Sequence, residues 1–247
     1  MSYSNFAAFY DKLQSDVDYA ARANVLLNLF KKYDRLPTLL LDMACGTGGF
    51  SEQFLKEGID VIGVDPSYEM LSVAMDKLSG GNNPPLLLCQ KAAELDLYGT
   101  VDGAVCCLDS INHITDEKEL LKSLKRISLF LEKGRLFIFD VNTLYKHKEV
   151  LSGNTFEANA QDINCVWNNS ECDENGVVEI SLEFYKKTDN GNEYICSEQF
   201  SERAYSNETL SKMLKKAGLE VLAILGETGE NEPQKTEQRI IYVTRKI

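Results

Sequence analysis

The 247-residue sequence predicts an α/β fold, a doubly wound, seven-stranded mixed sheet with a small inserted antiparallel β lid. Three observations carry this. Short apolar runs alternate with helical patterns from residue 38 to residue 141, the rhythm of a parallel sheet covered by helices on both faces. The first apolar run ends in a glycine cluster, as at a strand-to-helix turn that approaches a ligand. From about residue 146 the rhythm changes to alternating runs separated by Asn-Gly dipeptides, the chemistry of hairpins.

In order along the chain, residues 7–33 carry the row Leu13, Val17, Ala21, Val25, Leu29 and Tyr33 at i, i+4 spacing, which predicts one or two amphipathic helices that end before Pro37. Thr38–Met43 is a buried strand. A helix over 49–57 follows, with Gly58 at its C-cap. Strand 60–64 ends at Asp65, and Ser67 caps a helix over 67–78. Gly80–Pro85 is a loop, including Asn83-Pro84-Pro85-Leu86, which precedes a strand and reads as a plain turn. Strands 86–90 and 102–108, a helix over 116–132 and a strand over 135–141 complete the alternating part. The meander of 155–205 turns at Glu174-Asn175-Gly176 and Asp189-Asn190-Gly191-Asn192. A helix over 206–217, capped by Ser206 and closed by Gly218, leads to strands at 219–225 and 238–245, the last antiparallel. The division expected is a core of residues 1–145 and 205–247 with an insert of 146–204 over the acceptor.

Composition narrows the function. The formal charge is −12, from 38 acidic and 26 basic residues, and the lysines cluster only as doublets, so a nucleic-acid substrate is not expected. Seven cysteines without C-x-x-C spacing read as reduced, structural thiols of a cytoplasmic protein, and two histidines do not suggest a metal site. Met1-Ser2-Tyr3-Ser4-Asn5 lacks the features of a signal peptide, and no apolar run is long enough to span a bilayer, so no membrane partner is expected. A monomer or a homodimer is expected.

The chemistry centres on Asp42-Met43-Ala44-Cys45-Gly46-Thr47-Gly48-Gly49. Asp42 lies four residues before Gly46, and Asp65 closes the second strand nineteen residues after it, where a carboxylate can accept both hydroxyls of a ribose. Asp65 could instead serve only as a helix cap ahead of Pro66. A dinucleotide fingerprint needs a third glycine where Ser51 stands, and Asp42 would repel a pyrophosphate. S-adenosylmethionine carries an ammonium and a sulfonium, so an acidic loop suits it.

Leu40–Gly49 resembles the first motif of the class I S-adenosylmethionine-dependent methyltransferases, Val61–Leu71 resembles their second, and Cys107-Leu108-Asp109-Ser110-Ile111-Asn112-His113 resembles the turn after strand four in small-molecule members, which include glycine and amino-sugar N-methyltransferases. The likeness covers about residues 8–145 and 203–247. It implies a Rossmann-like core with the cofactor outside the carboxyl ends of strands one and two. It implies that Asp42 and Gly46 meet the methionine portion, that Gly48 lets the cofactor backbone sit close, that Asp65 binds the ribose, that Ser67 or Met70 flanks the adenine, that Thr47 and Ala92 also belong to the cofactor site, and that Leu108 and Asp109 lie beneath the sulfonium. Tyr10 and Tyr19 are candidates to cap the cofactor carboxylate. Lys91 stands where relatives often carry an Asp that accepts from the adenine amino group, and a lysine cannot accept that bond.

His113 and Tyr205 are the candidate catalytic residues. His113 could act as a general base or simply start a helix or loop, and Tyr205 could face the acceptor or simply pack. Trp167 reads as a core anchor of the small sheet, Cys106 and Cys107 as packing, and His147 as surface. The chemistry implied is in-line methyl transfer to a small-molecule acceptor, driven by alignment of donor and acceptor. With no convincing dedicated base, an amine or an already acidic acceptor is favoured. The alternatives are a non-catalytic S-adenosylmethionine-binding regulatory protein and an NAD-dependent oxidoreductase.

Overall fold

The structure is a computed structural model and describes residues 7, 10, 11, 14, 17–81, 83–160, 163–188 and 191–247. Leu13 of the N-terminal row, the first residues Met1–Asn5, Asn82 of the glycine-rich loop and Asp189-Asn190 of the second hairpin lie outside the described residues.

The order of elements is α1 Tyr19–Tyr33, β1 Leu39–Met43, α2 Gly49–Lys56, β2 Asp60–Asp65, α3 Tyr68–Leu78, β3 Leu86–Cys89, β4 Gly103–Cys106, α4 Glu117–Phe130, β5 Leu136–Asn142, β6 Thr155–Ala160, β7 Ile163–Asn169, β8 Val177–Thr188, β9 Gly191–Arg203, α5 Asn207–Lys216, β10 Leu219–Gly226 and β11 Arg239–Lys246. The main sheet has seven strands in the order β10-β11-β5-β4-β1-β2-β3. Its strands pair in parallel except β11, which is antiparallel to both β5 and β10. The chain leaves β1 first for β2 and later returns to β4 on its other side. The point where the winding reverses therefore lies between β1 and β4, and ligands of such sheets bind at the carboxyl ends there.

Each central strand alternates its side chains between two cores. Leu41, Ala104, Phe137 and Phe139 pack against α4 and α5, while Leu40, Val105, Leu136 and Ile138 pack against α1 and α2. The helix starts follow local chemistry: Asp18, Ser67, Asp116 and Ser206 each accept a backbone N–H of the first turn. In α1 the buried stripe is Ala23, Leu26, Leu27 and Phe30, with Leu29 beside it. Of the row expected from the sequence, Ala21 is exposed and Val25 only half-buried. Two apolar rows compete on this helix, and the one with more large side chains takes the core, where each Leu or Phe contributes about 1.5–3 kcal/mol.

The second sheet has four antiparallel strands in the order β6-β7-β8-β9 and stands between β5 and α5 in the chain. Its inner face, from Cys165, Val178, Ile180, Leu182 and Phe184, packs with Met70 of α3 and with Ala7 and Tyr10 of the N-terminal segment. Trp167 is half-buried there, its indole N–H donating to Asn169 at 2.8 Å. A π-helical turn, Lys146–Leu151, joins β5 to this sheet and was not anticipated. It corrects the expectation for His147, which is fully buried because its Nδ1 donates to the carbonyl of Gly176 at 2.9 Å. Among the described residues no helix is long and apolar enough to cross a membrane.

Candidate active site

The turn after β1 is built from backbone conformations that few residues adopt. Ala44, Gly46 and Gly48 have φ of 58°, 54° and 79°. Ala44 tolerates this at a cost of about 1–2 kcal/mol, because the turn is tied down: the Cys45 amide donates to Val64 on β2 at 3.0 Å and the Gly46 amide donates to the Asp65 carboxylate at 2.9 Å. A Cβ on Gly46 would project into open space, whereas one on Gly49 would come within 2.5 Å of the Tyr19 ring. Glycine at 49 thus lets Tyr19 lie against the turn, and glycine at 46 leaves an open cradle beside it.

That cradle belongs to a cleft of about 340 Å³, part of it continuous with solvent, lined by Tyr10, Tyr19, Asp42, Ala44, Cys45, Gly46, Thr47, Gly49, Phe50, Cys107, Leu108 and Ser110. It lies at the carboxyl ends of β1 and β4, where the winding reverses. Thr47 donates its hydroxyl to Asp11 at 2.5 Å, and Asp11 also pairs with Lys77 of α3 at 2.5 Å, so the segment carrying Tyr10 is fastened over the cleft.

Two buried carboxylates stand at this turn with only neutral hydrogen-bond partners. Asp42 accepts from the Ser51 hydroxyl at 2.6 Å, and Asp65 accepts from the amides of Ser67 at 2.8 Å and Gly46 at 2.9 Å. Burial raises the Asp42 carboxyl to about 7, opposed by the Ser51 hydrogen bond and assisted by the charge of Asp65. Burial also raises Asp65, less the effect of its two amide donors. Burial pushes the thiols of Cys45 and Cys107 well above their ordinary range and Tyr19 up to about 12.

A second tight turn forms the other wall. Leu108 and Asp109 are consecutive left-handed residues, with φ of 53° and 55°. Asp140 of β5 holds them, its two oxygens accepting the amides of Leu108 at 2.9 Å and Asp109 at 2.8 Å. Arg239, at the start of β11, bridges Asp140 at 2.6 Å and Asp109 at 3.0 Å. Burial would raise Asp109, but Arg239, Lys146 and His113 outweigh it and hold the carboxyl well below its usual range.

Of the residues singled out in the sequence, Tyr10, Tyr19, Asp42, Gly46, Thr47 and Leu108 line the cleft together. Asp65 stands directly behind Gly46, and Gly48 is packed against Ala74 and Leu78 of α3. Ser67 caps α3, accepting from Met70 at 3.2 Å and donating to Glu69 at 3.0 Å, while Met70 is buried against the second sheet. Ala92 sits in a 3-10 turn packed on the main core, and Asp109 points to Arg239. His113 is partly exposed beside Glu202, with Phe200 at 4.9 Å between ring centroids. Tyr205 lies apart from the cleft: it is buried, its hydroxyl donates to the Ile114 carbonyl at 2.5 Å, and the Arg203 guanidinium lies over its ring. Gln90 is occupied in its own turn, exchanging hydrogen bonds with the backbone of Asp96. Sequence reasoning missed Ser51, Asp140, Asn142, Glu202 and Arg239. Asp140 was within reach, as the one charge in the apolar run Leu136–Asn142.

Comparison with known proteins agrees with this geometry. Residues 40–134 match the family described as "Methyltransferase domain". A Geobacillus sp. (strain WCH70) protein that carries a methyltransferase name is 29% identical over 247 residues, covering 100% of both chains. The glycine/sarcosine N-methyltransferase of Halorhodospira halochloris is 30% identical over 140 residues, covering 53% of this chain and 51% of that one. A solved S-adenosylmethionine-dependent methyltransferase from Clostridium acetobutylicum ATCC 824 superposes with a TM-score of 0.87 and 32% identity, over 99% of this chain and 98% of that one. With a turn after β1 that opens a cradle between buried acids, a sheet wound to place it at the carboxyl edge, and this likeness across its whole length, the chain belongs to the class I S-adenosylmethionine-dependent methyltransferases.

Proposed function

We propose that the protein methylates the nitrogen of a small-molecule amine, with the cofactor held at the turn after β1 and the acceptor approaching from the side of the four-stranded sheet. The cofactor, when bound, supplies a methyl group on a cationic sulfur. The residues present fit such a group: Gly46 leaves open space where a side chain would stand, and the acids beside it have no cationic hydrogen-bond partner among the described residues. A ligand with ammonium and sulfonium charges offsets the cost of keeping Asp42 ionised in a buried place. Asp42 and the amides around Gly46 would hold the methionine portion, Asp65 the ribose, and Tyr10 and Tyr19 would close over it. Ser67 and Met70 would border the base, and Leu108 would floor the reacting centre. Residues 146–204 would form the wall that selects the acceptor.

One observation carries the choice of an amine. Three proton-bearing side chains of the cleft are not set to activate a hydroxyl: burial keeps Cys45 and Cys107 as thiols and Tyr19 as a phenol. An amine needs only a free lone pair at the moment of transfer, and alignment in a water-poor cleft then supplies most of the rate. The glycine/sarcosine N-methyltransferase relative points the same way. Transfer of a labelled methyl group from S-adenosylmethionine to a panel of amines and unactivated alcohols tests this. Label is expected on amines, and label only on alcohols would refute the proposal.

A further inference from the structure

Between the main sheet and the inserted sheet lies a group that neither the cofactor turn nor the fold accounts for. Glu202, near the end of β9, is 3% exposed. Its carboxylate accepts a hydrogen bond from the neutral amide of Asn142, Nδ2 to Oε2 at 3.2 Å. Two imidazoles flank it beyond hydrogen-bond length: His113 Nε2 is 3.7 Å from Oε1, and His147 Nε2 is 3.7 Å from Oε2.

The hydrogen-bond arithmetic around Glu202 is unbalanced. His147 gives its Nδ1 proton to the Gly176 carbonyl, which can only accept. In the neutral ring its Nε2 is then a bare lone pair, fully buried, without a hydrogen-bond partner among the described residues, and aimed at a carboxylate oxygen. Two acceptors thus face one another with no donor between them. The charges show the same shortage. Arg239 is shared by Asp140 and Asp109, and the Lys146 ammonium donates to the Asn142 amide oxygen at 3.0 Å. Three carboxylates therefore stand with two cations, and Glu202 is the one that no Lys or Arg contacts directly. Leaving such a carboxylate buried is expensive unless something brings it N–H donors and positive charge.

The cluster also opens in the right direction. His113 has 27% of its side chain exposed, against 0% for His147 and 4% for Glu202. It follows Ser110, which lines the cofactor cleft, on the same loop after β4. Phe200, two residues before Glu202 on β9, gives it an aromatic wall. The Glu202 end of β9 is pinned to the core, since Asn112 accepts from the Arg203 amide at 2.8 Å and donates to the Arg203 carbonyl at 3.0 Å.

We infer that Glu202 is the residue that recognises the acceptor: its carboxylate takes the N–H bonds of an ammonium that enters beside His113 and then one of its protons, which frees the nitrogen lone pair for methyl transfer. This rests on the amine reading above and adds to it the group that distinguishes an ammonium from a hydroxyl of the same shape. A hydroxyl brings one donor and no charge, and leaves Glu202 uncompensated.

The test uses the whole chain saturated with S-adenosylhomocysteine and calorimetric titration with three pairs that differ only in amino for hydroxyl: glycine and glycolate, ethanolamine and ethylene glycol, glucosamine and glucose. In at least one pair the amine is expected to bind about tenfold tighter or more, the size of one hydrogen bond to a charged group. In Glu202→Gln that preference is expected to vanish, while S-adenosylhomocysteine affinity stays as in the parent and the melting temperature does not fall. A preference that survives in Glu202→Gln overturns the role of Glu202 and leaves the amine reading standing. The absence of any amine preference in the parent protein overturns both.

Discussion

At the scale of single residues, the site depends on acids kept away from water. Asp42 gives a prediction with a definite sign. Its folded carboxyl lies at about 7, above the unfolded value of about 4, so the ligand-free folded state binds this proton more tightly than the unfolded one. Its contribution to stability is full below pH ~4 and is lost as pH rises to about 7. Asp42→Asn removes the titration and still accepts from Ser51. The melting temperature of the ligand-free variant, relative to the parent, is expected to rise between about pH 4.5 and 8. A difference that does not change with pH would mean that Asp42 is not buried as an acid. Asp42, Asp65 and Gly46 were legible because each sits at a strand end within one local motif. Glu202 and Arg239 were not, because pairing of distant strands brings them to the site, whereas Asp140 was within reach as the one charge in its apolar run. His147 was misjudged because its lysine neighbours suggest a surface, whereas the π-helical turn carries the ring inward.

At the scale of elements, the turn after β4 shows how one side chain can hold a strained backbone. Asp140 receives both amides of the left-handed pair Leu108-Asp109 and half of the Arg239 guanidinium. Asp140→Ala leaves those donors without their acceptor and is expected to destabilise the protein by about 3–5 kcal/mol, the cost of breaking a buried ion pair. The midpoint of urea unfolding measures this, and a loss below about 1 kcal/mol would show that the turn holds itself. The strands and most helices were legible to within a few residues, because their apolar periods are strong and their caps are standard Asp, Ser and Gly chemistry. The buried face of α1 was not, since two neighbouring rows are both apolar and only the packing partners choose between them.

At the scale of the molecule, the alternating rhythm up to residue 141 and the meander after it announce the sheet with its insert. The location of the cleft between β1 and β4 follows from strand order, which the periods of single strands do not contain. Winding order, turn geometry and buried charge converge on one cleft. Calorimetric titration of Asp65→Ala with S-adenosylhomocysteine, alongside the parent protein, probes that arrangement most directly. A loss of about 1.5–3 kcal/mol is expected, the range for hydrogen bonds to a charged group. Unchanged affinity in a variant that is folded by its melting curve would contradict the placement of the ribose at Asp65, and with it the cofactor at this turn.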